Sequence, residues 1–163
     1  MKLKELVEIT QKLKERPLPG RKLYIWIGRI EKLRAAIPKE ILQEIDILNL
    51  DLQPNTSDDS MVGKEIKKKL DSKLNTLRTS ATNFKRQQIL IVLNTSLLAR
   101  YKVPLTSFYR YYLNDHTLAI LHLPLSSFKE ELAKYVEFEP ESSLKYFEGI
   151  LPEEHKQNIV KEE

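Results

Sequence analysis

The sequence predicts a three-layer α/β/α protein built on a mostly parallel sheet of about five strands. Three observations lead there. First, Leu23–Ile27, Ile89–Leu93 and Leu118–Leu121 are near-continuous apolar runs, the pattern of strands covered on both faces. Second, the stretch between the last two runs is long enough for a right-handed crossover helix, which places that pair side by side and parallel in mid-sheet. Third, strands and helices alternate along the whole chain, the order that produces a parallel sheet with helices on both faces.

Residues 2–15 set Leu3, Leu6, Val7, Ile9 and Leu13 on one broad helical face with Lys and Glu opposite. Pro17-Leu18-Pro19-Gly20 ends that helix as a rigid linker. Leu23–Ile27 is a strand stopped by Gly28, Arg29 to Ile37 a helix stopped by Pro38, and Ile45 to Leu50 a second strand. Gln53 to Ser60 is polar and reads as a loop, from which Ser57, Asp58 or Asp59 caps a long helix over residues 60–82. Ile66, Leu70, Leu74 and Leu77 form a narrow apolar stripe on it, and Lys67, Lys68, Lys69, Lys73 and Arg78 project around the rest. The two central strands follow, joined through a polar tip at Asn94-Thr95-Ser96. Ser127-x-x-Glu130 is a capping box opening a short helix, Tyr135–Phe138 alternates as an edge strand, and Glu141 to Phe147 reads as the last helix. The chain thus divides into an N-terminal helix (1–16), an α/β domain (21–150) and a flexible acidic tail (151–163).

At 163 residues the chain has the size of one domain with a real core. The absence of cysteine excludes disulfides, thiolate metal sites and a Cys nucleophile. With no apolar signal core and no run near the roughly 20 residues of a membrane span, the expectation is a cytoplasmic protein without membrane contact. Charge is distributed unevenly. Residues 64–110 hold 11 Lys or Arg against 2 acids, and residues 129–163 hold 5 basic against 10 acidic residues. A basic middle points to a polyanion or an acidic partner, although a solvated helix face with a solubilising tail gives the same pattern.

Open α/β sheets bind ligands at the carboxyl ends of their strands, so the residues there are the test of chemistry. A phosphate loop needs GxxxxGK[ST]: glycines free the backbone N–H groups to wrap phosphates, Lys neutralises them, and the hydroxyl holds Mg²⁺. After the first strand there is only Gly28-Arg29, and Gly63-Lys64 follows a polar loop rather than a strand. The strand over 89–93 ends in Asn94-Thr95, where an Asp would be needed to position Mg²⁺. For a metal nuclease the candidate carboxylates are Asp46, Asp51 and Asp115. Asp46 falls near the start of its predicted strand and Asp115 precedes one, which leaves Asp51 alone. G-x-G-x-x-G is missing, and His116, His122 and His155 show no ligand spacing. Ser96, Ser126 and Ser127 lack a nucleophile-elbow context and read as turns and caps. No catalytic residue, cofactor or metal is assigned. Phe108-Tyr109-Arg110-Tyr111-Tyr112, with Arg100, Tyr101 and Lys102 upstream, mixes aromatic faces with cations, which suits exposed bases and phosphates. Core packing of the aromatics on the sheet is the stronger reading, and an exposed part of the cluster equally suits a protein interface.

The run Ile89 to Leu98, then Val103-Pro104-Leu105, Tyr109 to Leu113 and Asn114 to Ile120, with Ile45 to Leu50 before them, resembles the second half of small P-loop proteins. It is similar to the BrxF family encoded in some BREX anti-phage operons, over roughly residues 21 to 140. The resemblance implies a P-loop-like fold inside a larger DNA-directed defence assembly. It breaks where nucleotide would bind. The family's phosphate loop falls at Ile27 to Lys32 without its Lys and Ser/Thr, and its Walker B acid falls at Asn94.

Gly28, Arg29, Asn94 and Thr95 are therefore read as degenerate nucleotide-site positions. The expected function is a non-catalytic subunit docking on larger proteins of a DNA-associated complex. Its partner surfaces are Lys67, Lys68, Lys69, Lys73 and Arg78 on the basic helix, and Arg100, Lys102 and Arg110 beyond it. Two alternatives remain: a stand-alone nucleic-acid-binding regulator (DNA or RNA) using the basic helix, and a nucleotide switch with an atypical loop at Gly28-Arg29.

Overall fold

Five strands and six helices carry the fold in a computed structural model that describes residues 1–52, 59–80, 87–124 and 140–163. Helix α1 (Leu3–Glu15) leads into β1 (Leu23–Ile27), α2 (Ile30–Ala36), β2 (Leu42–Asp46), α3 (Asp59–Ser80) and β3 (Gln88–Leu93). Two short helices follow, α4 (Ser96–Arg100) and α5 (Thr106–Tyr111), then β4 (Thr117–Leu123), α6 (Pro140–Ile150) and β5 (Ile159–Lys161). The strands form one all-parallel sheet in the order β2-β3-β4-β1-β5. The central pair expected from the apolar runs is present, with Ile91 opposite Ile120 and Val92 opposite Leu121.

Alternation along the strands feeds two cores. Leu23, Ile25, Leu90, Val92, Ala119 and Leu121 meet Ile66, Leu70 and Leu74 of α3, Phe108 of α5 and Phe147 of α6. Tyr24, Trp26, Ile89, Ile91, Leu118 and Ile120 meet Leu6 and Leu13 of α1 and Leu33 of α2. Helices on both faces are why these strands carry no polar alternation. Ile89, Leu90, Ile91 and Val92 are all 0% exposed. Leu118, Ile120, Leu121 and Leu123 of β4 are buried as completely, so at about 1.5–3 kcal/mol for each buried aliphatic side chain the β3–β4 pair is the energetic centre of the sheet.

The structure corrects the sequence reading in three places. Strand β2 begins at Leu42 and ends at Asp46, whereas the apolar run placed it at Ile45 to Leu50. As an edge strand it needs few apolar residues, and the apolar stretch is instead a 3₁₀ turn (Ile47–Asn49) opened by the Asp46 carboxylate, which accepts from Leu48 N–H at 2.9 Å. The expected single helical connection between β3 and β4 is split into α4 and α5, where Lys102 takes a left-handed φ of 53° and Pro104 follows. Most consequentially, residues 151–163 are not a flexible tail. Ile159–Lys161 pairs with β1 and supplies the fifth strand.

That closing segment is tied down by side chains. His155 Nε2–H donates to the Arg21 carbonyl at 3.0 Å, and its Nδ1 accepts from Tyr109 O–H at 2.6 Å. Asn158 Nδ2–H donates to the Leu23 carbonyl at 3.1 Å, and Val160 is 0% exposed. The Tyr135–Phe138 strand, the Ser127–Glu130 capping box and the caps at Ser57 and Asp58 lie outside the described residues. Among the described residues no helix is long and apolar enough to cross a membrane.

Candidate functional site

Strands β1 and β4 are neighbours followed by helices on opposite faces, α2 and α6, so their carboxyl ends form the crevice where an open α/β sheet takes a ligand. The Gly28-Arg29 turn stands in this crevice. All four of its backbone polar groups are engaged. Gly28 N–H donates to the Leu123 carbonyl at 3.1 Å, and the Gly28 carbonyl accepts from His122 Nε2 at 2.7 Å. Arg29 N–H donates to Glu162 Oε2 at 2.7 Å, and the Arg29 carbonyl accepts from Trp26 Nε1 at 3.1 Å. Since a carbonyl only accepts, the His122 proton sits on Nε2. Burial holds that imidazole below its ordinary value of 6.5.

Glu162 packs against this turn. Register sets it there: Lys161 lies opposite Ile27, so the next residue falls beside Gly28, with Glu162 N–H donating to the Ile27 carbonyl at 2.8 Å. The carboxylate receives Arg29 Nε at 2.7 Å and Nη2 at 2.6 Å, with Lys32 Nζ at 3.6 Å, and the side chain is 5% exposed. Hydrogen bonds from the Arg29 side chain and amide hold the Glu162 carboxyl down at about 2. Gly28 is the residue that admits this arrangement, because a Cβ would lie 2.6 Å from Trp26 Cζ2 and 2.7 Å from Glu162 Cβ.

The other strand ends are joined in the same manner. Asn94, at a left-handed φ of 58°, donates from Nδ2 to Asp46 Oδ1 at 2.7 Å. Thr95 is 0% exposed and donates to the His122 carbonyl at 2.5 Å. Following the sheet order, Asp46 meets Asn94, Thr95 meets His122, His122 meets Gly28, and Arg29 meets Glu162. Each tip spends its polar groups on a neighbouring tip. The carboxylate at the end of β2 is therefore Asp46, which sequence reasoning misplaced with the strand. Asp51 lies five positions further on, at a left-handed φ of 57°, and its carbonyl accepts from Lys69 Nζ. Among the described residues no three His, Asp or Glu side chains gather as a metal site.

Of the eight cationic residues expected to face a partner, three converge. Lys67, Arg100 and Lys102 line a cavity of about 490 Å³ between α3 and the α4–α5 turn, together with Lys64, Asp59, Ser60, Gly63, Tyr101 and Pro104. Arg100 pairs with Asp59 at 2.8 Å, and Lys67 with Asp71 at 3.1 Å. Lys69 is turned toward Glu65 at 3.4 Å. Lys68, Lys73 and Arg78 are exposed on α3 outside the cavity lining, and exposed Arg110 lies over Tyr111 at 5.2 Å. The aromatic run is mostly structural: Phe108 and Tyr112 are buried in the core, and Tyr109 binds His155.

Sequence reasoning missed two residues. Glu162 belonged to a segment expected to be flexible, and nothing local signals a carboxylate that acts 133 positions from Arg29. Lys64 was set aside with Gly63 as a failed phosphate-loop pair. Gly63 is instead a packing glycine whose Cβ would lie 2.5 Å from the Tyr101 carbonyl, and this close approach brings Lys64 to the cavity. No protein-family model matches the chain, and no curated protein matches it either.

Proposed function

We propose that the chain is a non-catalytic subunit with a degenerate nucleotide-site scaffold, docking on partner proteins in a DNA-associated assembly. The observation that carries the reading is the Gly28-Arg29 turn, whose backbone groups are all satisfied within the protein and whose Arg29, with Lys32 of α2, holds Glu162. A turn with no free N–H cannot cradle a phosphate, and a site already holding a carboxylate repels a second anion. An amide at Asn94, itself bonded to Asp46, supplies no charge for Mg²⁺. The anti-phage setting that the BrxF resemblance implies adds an expectation about the assembly, whereas the case against catalysis rests on geometry alone.

Calorimetry of the full chain with Mg·ATP and Mg·GTP tests it. No heat and no phosphate release are expected at millimolar nucleotide. Saturable binding with turnover sinks the reading and restores the nucleotide-switch alternative. Convergence of Lys67, Arg100 and Lys102 favours the second reading, direct contact with nucleic acid.

A further inference from the structure

We infer that the cavity between α3 and the α4–α5 turn is a binding site for the phosphate backbone of a single-stranded nucleic acid. Its lining carries four cations, Lys64, Lys67, Arg100 and Lys102, against one carboxylate, Asp59. That imbalance is unusual for a recess, because confining cations together costs Coulomb energy that an arriving anion returns. Two of the four have acidic partners, Arg100 with Asp59 and Lys67 with Asp71. Lys64 and Lys102 have no acidic partner among the described residues, and both are exposed. The structure therefore holds one pair of cations in fixed orientation and leaves another pair to meet a ligand.

Close packing and backbone bonds set the positions from which the cations project. Gly63 lets α3 approach the Tyr101 carbonyl more closely than any side chain would allow, which fixes Lys64 and Lys67 relative to the turn. Lys102 is held on that turn by its left-handed backbone, with its N–H donating to the Ala99 carbonyl at 3.2 Å. Arg100 lies over the Tyr101 ring at 5.1 Å, which orients the guanidinium along the cavity wall. A recess of about 490 Å³ admits a phosphate with its flanking sugars from a flexible strand. The phosphates of a rigid duplex lie on a convex surface and reach such a recess poorly. Lys68 is exposed one helical turn beyond Lys64 and extends the cationic track outward from the cavity.

The assignment deepens the reading of the chain as a binding subunit, and its test separates the two. Fluorescence anisotropy with labelled oligo-dT of about 15 nucleotides, titrated by the full chain over a range of salt, measures it. Wild-type protein should bind with a log–log salt slope of about −1.4 to −2.8, corresponding to two to four phosphates. Lys64→Gln with Lys102→Asn removes both unpaired charges, and asparagine tolerates the left-handed backbone at 102. This variant should lose at least about tenfold in affinity and flatten the slope by about 1.4. Lys12→Gln with Lys39→Gln, exposed on other elements, should leave both unchanged. Circular dichroism melts confirm that each variant is folded.

Absence of binding by wild type overturns the assignment, as does equal affinity and slope in the Lys64/Lys102 variant. Tripolyphosphate bound in a Lys64-dependent manner, with no binding of the strand, also overturns it and leaves a small-phosphate site. None of these outcomes touches the non-catalytic reading, which falls if Mg·ATP or Mg·GTP binds and turns over.

Discussion

Replacing Gly28 by alanine is the sharpest probe of the closed sheet tip. The added Cβ would lie 2.6 Å from Trp26 Cζ2, 2.7 Å from Glu162 Cβ and 2.8 Å from Glu162 Oε2, against an ordinary contact of 3.4–4 Å. Trp26 is 0% exposed and held by its Nε1–H bond to Arg29, so it yields little. Glu162 must then swing outward and surrender its bonds to Arg29. Overpacking of this kind costs about 1–3 kcal/mol. For a chain of 163 residues that lowers Tm by about 3–10 °C. Trp26 is the single tryptophan, so its fluorescence during urea unfolding reports directly on the site. In a Glu162→Ala background the Gly28→Ala penalty should shrink by at least about 0.5 kcal/mol, because the Oε2 contact is gone and no carboxylate bonds to Arg29 remain to be surrendered. Wild-type stability in Gly28→Ala, or strict additivity in the double variant, would refute the placement of Glu162 over the turn.

Three further outcomes follow from buried and paired groups. Lys22→Met should destabilise by about 2–3 kcal/mol in urea titration, because Nζ donates to the Leu18, Gly20 and Asn114 carbonyls at 2.8, 2.6 and 2.9 Å, and methionine leaves all three without that donor. The Glu162 carboxyl lies at about 2 when folded, below its ordinary 4.5, so its stabilisation is complete above 4.5 and is lost as pH falls from 4.5 toward 2. Glu162→Gln should flatten the acid limb of the stability–pH curve over that window, and an unchanged limb counts against the ion pair. His122, with its folded value lowered by burial, stabilises above 6.5 and loses that contribution as pH falls below it. Its imidazole resonance in NMR should therefore titrate below 6.5; a midpoint above 6.5 contradicts the burial of the ring.

The central architecture was legible because its signals are local. Ile89–Leu93 and Leu118–Leu121 are apolar without alternation, and a strand buried on both faces has no other way to be written. The stripe of Ile66, Leu70 and Leu74 repeats at the helical period, and all three are 0% exposed. Strand β2 slipped because an edge strand with Gln43 and Glu44 at its middle lacks that signal, while the 3₁₀ turn after it is apolar for the sake of buried Ile47. Strand β5 is three residues long, too short for any periodicity, and owes its position to β1 and to His155 and Asn158.

Composition and periodicity were enough to establish the layers, the central strand pair and the absence of a GxxxxGK[ST] motif, since each depends on neighbours along the chain. How the tips are closed was decided only in three dimensions. Glu162 reaches Arg29 through strand register, Asn94 reaches Asp46 through sheet order, and Lys64 joins Lys102 because Gly63 lets a helix approach a distant turn. Such contacts link residues tens of positions apart through geometry that no local pattern encodes.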